Sequence, residues 1–190
     1  MRAMTWWDHE TQSIWSQPWG LAIGGALEGT RLRQIPAAIV PWGAWLDEHP
    51  DTSVLLVDGG GFGPPRKRFD PDYVIGIALG EHAKAYPFER ASEEGVVNDH
   101  VGQYPVAVVA DSETKSVYTF IRQVGDQELE FTLVEGALRD IQTGSTWDPS
   151  RGLAVDGPLR GSVLQRVPYS TAFDWAWEDF YPHTEFYQGG

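Results

Sequence analysis

The sequence predicts a mainly β fold with a few short helices, a β-rich α+β protein containing two diverged copies of a strand-turn-helix-strand unit. Three observations predict it. Residues 8 to 55 recur at residues 140 to 187 with a constant offset and no gap, with roughly a third of the aligned positions identical. Between the copies, short apolar or alternating runs are separated by Gly, Asp and Asn, the pattern of strands joined by turns. Helical spacing is confined to short stretches that end at proline, such as 40–48 before Pro50 and 171–180 before Pro182.

The repeat is explicit in the residues. Asp8, Thr11, Ser13 and Trp15 map onto Asp140, Thr143, Ser145 and Trp147, and Gly20-Leu21-Ala22 maps onto Gly152-Leu153-Ala154. Gly25, Leu27, Gly29, Leu32 and Pro36 match Gly157, Leu159, Gly161, Leu164 and Pro168, while Trp45, Asp47, Pro50 and Thr52 match Trp177, Asp179, Pro182 and Thr184. A side chain kept at two places in one molecule serves the fold rather than a single act of chemistry. Trp15, Trp147, Trp45 and Trp177 are therefore expected in the core, where an indole buries the most area. The unpaired Trp6, Trp7, Trp19, Trp42 and Trp175, with His9, His49, His82, His100 and His183, are the better functional candidates.

Taken in order, the first copy opens at Trp6-Trp7-Asp8, passes through a turn-rich stretch from Gln17 to Gly29 and reaches a short strand at 31–35. A helix follows over 40–48, and a strand over 53–57. Residues 58–72, with three consecutive glycines, Pro64-Pro65 and Arg66-Lys67-Arg68, read as a linker. Beyond it, 73–79 and 82–86 flank Gly80-Glu81 at the spacing of a tight hairpin. Pro87 breaks the second strand ahead of a short acidic helix over 88–94, and strands are expected near 96–97 and over 105–110, 116–124 and 128–134. The second copy adds a helix over 171–180 and a last strand over 185–187. The domain division is thus 1–57 as an incomplete first unit, 58–72 as linker, and 73–190 as a complete unit ending in the second copy.

At 190 residues the chain can bury about 70% of its extended surface, enough for a sizeable core without a disulfide or metal staple. Cysteine is absent, which excludes thiolate nucleophiles, disulfides and cysteine-rich metal sites. A formal net charge of −13 opposes binding to a phosphate backbone, so nucleic acid is not an expected partner. No run approaches the length of a membrane span and no basic, apolar leader opens the sequence. The chain is expected to be soluble, either cytoplasmic or secreted with its signal removed.

Several ordered motifs carry a family resemblance: Gly80-Glu81 with Ala85-Tyr86-Pro87, Val96-Val97-Asn98-Asp99, Gly102 with Pro105-Val106, Thr143-Gly144-Ser145 with Trp147, and Gly157-Pro158-Leu159 with Gly161. Together they resemble DUF3179, a bacterial and archaeal family of unknown function. The resemblance implies longer proteins built from two related units, of which this chain is similar to the end of the first followed by the whole second. Members often carry cysteines just after the strand equivalent to 105–109, where this chain has Ala110-Asp111-Ser112. Thiol or metal chemistry tied to those cysteines is therefore not implied for it, and the resemblance brings no established reaction.

Among reactive residue types, Asn98-Asp99-His100 is the most suggestive cluster, an amide, a carboxylate and an imidazole at a strand end. The competing reading is a turn in which Asn98 and Asp99 bond their own backbone. Adjacent strand residues face opposite ways, so Asp99 and His100 need not converge. The glycines at 59–61 lack a following Gly-Lys-Ser/Thr, and no Gly-x-Ser-x-Gly elbow occurs. Trp42, Trp175, Trp19 and His82 are the candidate ligand-binding residues, the tryptophans as a platform for a flat ligand.

The leading function is a non-enzymatic binding or interaction domain for a small molecule or a partner. One alternative is a small hydrolase-like or lyase-like enzyme with a pocket between the copies, Asp99 or His100 as base and Trp42 or Trp175 as wall. Another is a subunit of a larger assembly. The first copy, with no preceding strand-rich segment to lean on, would leave Leu27, Leu32, Ile35, Ile39, Val40, Trp45 and Leu46 uncovered. Either it packs on the chain's own 73–134 sheet as a pseudo-symmetric partner of the second copy or it docks on another chain, and a two-fold dimer is the expected arrangement. No cofactor and no metal are expected, because no two histidines stand at ligand-like helical spacing. Elemental analysis of the purified protein should accordingly find no stoichiometric metal; one equivalent of zinc, copper or iron would refute that expectation.

Overall fold

The computed structural model describes residues 4–54, 73–135 and 137–190. Their fold is mainly β with three short helices, a β-rich α+β architecture. The expected linker at 58–72 lies outside the described residues, as do positions 55–57 of the strand expected at 53–57.

Strands β1 (Thr5–Trp7), β2 (Ile14–Ser16) and β3 (Leu21–Gly24) form an antiparallel meander, followed by helix α1 (Trp42–Glu48). β4 (Tyr73–Leu79) and β5 (His82–Pro87) make the expected hairpin, whose two-residue turn needs the left-handed backbone that Gly80 adopts at φ 59°. Pro87 ends β5 and sits at the start of α2 (Phe88–Glu94). β6 (Val96–Val101), β7 (Tyr104–Ala110) and β8 (Val117–Ile121) form an antiparallel sheet. The small hairpin of β9 (Gln123–Val124) and β10 (Gln127–Glu128) leads into a second meander, β11 (Phe131–Val134), β12 (Ala137–Asp140), β13 (Thr146–Asp148) and β14 (Leu153–Asp156). The chain closes with β15 (Ser170–Phe173), α3 (Asp174–Phe180) and β16 (Glu185–Phe186). β15 pairs antiparallel with β4 and β16 pairs parallel with β5. No helix among the described residues is long and apolar enough to cross a membrane.

Several expected boundaries move. Residues 171–173, expected as helix, are strand, because β4 offers them an antiparallel edge and the helix starts only at Asp174. α1 likewise starts at Trp42 rather than Val40, behind Pro41. The strand expected at 31–35 shrinks to one bridge between Arg31 and Leu21. The single runs expected at 116–124 and 128–134 are each interrupted, with Arg122 turned inward at 4% exposure.

The core is layered. Val106, Val108 and Ala110 of β7 meet Ile75, Ile77, Tyr86 and Phe88 on one side of the central sheet. Ala107 and Val109 meet Leu138, Trp147 and Leu164 on the other. The outer face of the β4–β5 hairpin, Val74, Ala83 and Ala85, is sealed by Trp177 of α3. Gly76 makes that seal possible, since a Cβ there would lie 2.4 Å from the Trp177 ring.

The two sequence copies have matching local structure. In both, the Thr side chain bonds the Asp carboxylate (Thr11 to Asp8, Thr143 to Asp140), and the Trp15 and Trp147 indoles donate to those same carboxylates. Both strands shift register just before the tryptophan, between Ile14 and Trp15 and between Thr146 and Trp147. In both, a serine hydroxyl accepts a backbone N–H at 3.0 Å, Leu27 to Ser13 and Leu159 to Ser145. The same turn occurs a third time, where Thr114 bonds Asp111 and Ser116, with Tyr118 in the tryptophan's place. That third instance escaped the sequence reading because Tyr replaces Trp.

Burial separates the copies. Trp15 and Trp147 are both buried, but Trp177 is 4% exposed and Trp45 40%. The expectation that Trp45 lies in the core is therefore wrong: α3 rests on the β4–β5 hairpin, and no such hairpin lies under α1 among the described residues. Trp177→Ala should cost about 3 to 5 kcal/mol and Trp45→Ala less than about 1 kcal/mol in urea unfolding. Equal losses would contradict the difference in cover.

Candidate functional site

β6 carries Asn98, Asp99 and His100 through its middle, so the three sit in a strand and the turn falls later, at Gly102-Gln103. Asn98 caps no turn. Its amide donates to the Phe131 carbonyl at 2.8 Å and accepts the Phe131 N–H at 2.7 Å, splinting β6 to β11. Asp99 faces β5, where the Lys84 ammonium meets its carboxylate at 2.7 Å, and Glu185 stands 3.8 Å from the same ammonium. The wholly buried Tyr86 hydroxyl shares this space without a well-aligned hydrogen bond. Burial, reinforced by the Asp99 charge, pushes its ionisation far above the ordinary tyrosine range.

His100 belongs to a different network. Its Nε2 lies 3.3 Å from the Glu128 carboxylate and its Nδ1 3.3 Å from an Arg122 guanidinium nitrogen. Arg122 holds Glu128 at 2.7 Å and donates to the Leu129 carbonyl at 2.8 Å. Asp99 and His100 thus serve separate ion networks with separate partners, as strand alternation allows. Asp99 has Lys84 and Tyr86 beside it, and His100 has Glu128 and Arg122.

The expected ligand-binding residues are also dispersed. Trp42 projects from the first turn of α1, 53% exposed, and Trp175 stacks on Phe173 with ring centroids 5.9 Å apart. Trp19 is half-buried; its indole donates to the Phe180 carbonyl at 3.2 Å and so ties the first copy to the end of α3. His82 lies against Gly102, beside a hollow of about 50 Å³ that also touches Lys84, His183 and Glu185. Among the described residues, no three His, Asp or Glu side chains gather as a metal site.

What the structure does assemble is a cleft of about 420 Å³ between the copies. α1 and its C-terminal turn contribute Trp45, Glu48 and His49, β8 contributes Tyr118, and the second copy contributes Ser150 and Arg166. Ala38 and Val40, packed on the central core, line its apolar side. Trp45 is held in place by its indole N–H, which donates to Thr52 at 3.1 Å, and by the His49 ring at 4.1 Å. The Ser150 hydroxyl donates to Glu48 at 2.7 Å, while Arg166 donates to the Ser150 carbonyl and lies 5.9 Å from the centre of the Phe120 ring. Burial pushes the pKa of the Tyr118 hydroxyl above the ordinary tyrosine range, so it stays protonated more readily. The groove is thus apolar, with a cation, a carboxylate and an indole at its margin. Sequence reasoning missed it because the repeat assigned Trp45 to the core, and because Tyr118, Ser150 and Arg166 come from distant segments.

The fold defines a β-rich protein with a cleft between two related segments. The chain belongs to the protein family of unknown function DUF3179, whose family model matches residues 2–63 and 63–184. Comparison with curated proteins and with solved structures gave no significant match.

The Tyr86 environment makes stability depend on alkaline pH. An unfolded tyrosine ionises near about pH 10, whereas buried Tyr86 keeps its proton, and burial likewise pushes Tyr169 up to about 12. Above about pH 10 the unfolded state therefore binds fewer protons and stability falls as pH rises, while below it this contribution is constant. Urea unfolding at about pH 9 and pH 11 should show that fall, and Tyr86→Phe should lessen it. An unchanged slope in the variant would remove Tyr86 from the account.

Proposed function

We propose that the protein is a non-enzymatic binding domain that receives a ligand or partner in the cleft beneath α1. The observation that carries this reading is Trp45, open at 40% where its counterpart Trp177 is sealed at 4%. An indole locked by a hydrogen bond at the margin of an apolar groove is an anchor already in place, so little conformational freedom is lost on binding. In this reading residues 1–57 act as an incomplete unit joined through 58–72 to the complete unit at 73–190. Exposed Met4, Trp6, Trp7, Ile35 and Trp42 add apolar surface on the first copy and favour a partner over a small molecule alone. The enzyme alternative draws no support from Asp99 and His100, which serve separate networks.

The test uses anilinonaphthalene sulfonate, an apolar anionic dye whose rings suit the groove and whose sulfonate suits Arg166. The native chain should bind it at one site, and Trp45→Ala should weaken that binding about tenfold or more. Ile141→Ala, an exposed change outside the cleft, should leave it unaltered. Binding that ignores Trp45, or none, would overturn the reading.

A further inference from the structure

We propose that the cleft beneath α1 takes a small zwitterion, an α-amino acid with an apolar side chain, whose carboxylate meets Arg166 and whose ammonium meets Glu48. The proposal rests on the binding reading above and names the class of ligand. A volume of about 420 Å³ falls among small-molecule sites, which run from about 300 to 1,000 Å³. Trp6 and Trp7 of β1 lie outside its lining and are left to a partner.

The repeat supplies an internal control for Arg166. At the constant offset Arg166 corresponds to Gln34, and Ser150 to Pro18. The same bond occurs in both copies: Arg166 donates to the Ser150 carbonyl, and Gln34 donates to the Pro18 carbonyl at 3.3 Å. A neutral amide makes that bond, so the fold needs no charge at this position. Arg166 adds a cation whose planar fork of N–H donors suits a carboxylate. The ion pairs among the described residues engage Arg122 and Arg151 and leave half-buried Arg166 without a carboxylate. A partly buried cation lacking a counter-ion is offset by an anionic group from outside.

Glu48 departs from its counterpart in the same way. The other copy has Phe180 there, buried on the core side of α3, whereas the first copy presents a carboxylate at the cleft margin. Glu48 Oε1 accepts the Ser150 hydroxyl at 2.7 Å. Its only cation among the described residues is exposed Arg151 at 3.9 Å, which is shared with Asp148 at 3.6 Å. Such a loose, solvent-exposed pair leaves most of the carboxylate's charge available.

Ser150 joins the two charges without letting them pair. Its hydroxyl is on Glu48 and its carbonyl on Arg166, so carboxylate and guanidinium stand one residue apart. A simple cation would leave Arg166 unanswered, and a simple anion would leave Glu48 so. A molecule carrying both signs on adjacent carbons answers both, which is the arrangement of an α-amino acid. Its side chain has a place as well. Ala38 and Val40 form the apolar wall, and the Trp45 indole, fixed by Thr52, offers an aromatic face.

The probes are L-phenylalanine and L-leucine, titrated calorimetrically into the full chain. At least one should bind at a single site with Kd below about 1 mM and displace the dye. N-acetyl-L-phenylalanine, which lacks the ammonium, and phenethylamine, which lacks the carboxylate, should each bind about tenfold more weakly than phenylalanine or worse. Arg166→Gln installs the residue of the other copy, and Glu48→Gln keeps the acceptor for Ser150, so both spare the local bonds. In Arg166→Gln, phenylalanine and phenethylamine should bind alike; in Glu48→Gln, phenylalanine and its N-acetyl form should bind alike. A misfolded variant cannot produce that crossed pattern, and if either variant fails to fold, the comparison of ligands on the native chain decides. No binding of either amino acid at about 10 mM, or equal affinity for phenylalanine and both of its analogues, overturns the proposal. If the dye binds through Trp45 but neither amino acid binds, the zwitterion falls and the binding reading stands.

Discussion

Strand β7 has almost no side turned to water, and the rest of the structure follows from that constraint. Its alternate residues enter two different cores, so both faces of the β6–β7–β8 sheet need a cover. The β4–β5 hairpin with α2 provides one, and the β11–β14 meander provides the other. A strand buried on both faces reads as a continuous apolar run rather than an alternation, as 105–110 does. The hairpin in turn exposes an outer face, which Trp177 closes because Gly76 leaves room for the indole.

The two copies separate local from tertiary order. The Asp–Thr–Ser turn, the register shift before the tryptophan and the tryptophan-to-threonine bond are present in both. These interactions close within a few residues, so they form with or without a neighbouring sheet. Burial does not follow from them. Trp45 and Trp177 occupy the same helical position and make the same bond, yet one is open and the other sealed, since cover comes from strands remote in sequence.

The charged groups inside the fold serve it. Lys84 with Asp99, and Arg122 with Glu128 and His100, each pair within the β-rich unit, where an unpaired charge would be costly. Asn98 replaces a missing ladder bond between two sheets. These were the residues that most resembled catalytic chemistry in the sequence, and each is occupied by structure. The open polar margin lies instead at Glu48, Ser150 and Arg166, contributed by both copies.

By itself the sequence determined the β-rich class, the family, the β4–β5 hairpin and its turn, the short helix after Pro87 and the likeness of the two copies. Each of these is written in neighbouring residues: Gly80-Glu81 between apolar runs, a proline at a boundary, Asp-x-x-Thr-x-Ser before an aromatic. It also allowed Asp99 and His100 to part, because strand alternation is local. Only the tertiary structure decided that 171–173 is strand, since an edge of β4 outweighs helical spacing there. It likewise decided that Asn98 joins two sheets, that Trp45 is open, and that Tyr118, Ser150 and Arg166 meet α1 in one cleft. Such outcomes depend on which distant surfaces come together, and a repeat carries no record of that: two identical tryptophans differ only in what the rest of the chain lays against them.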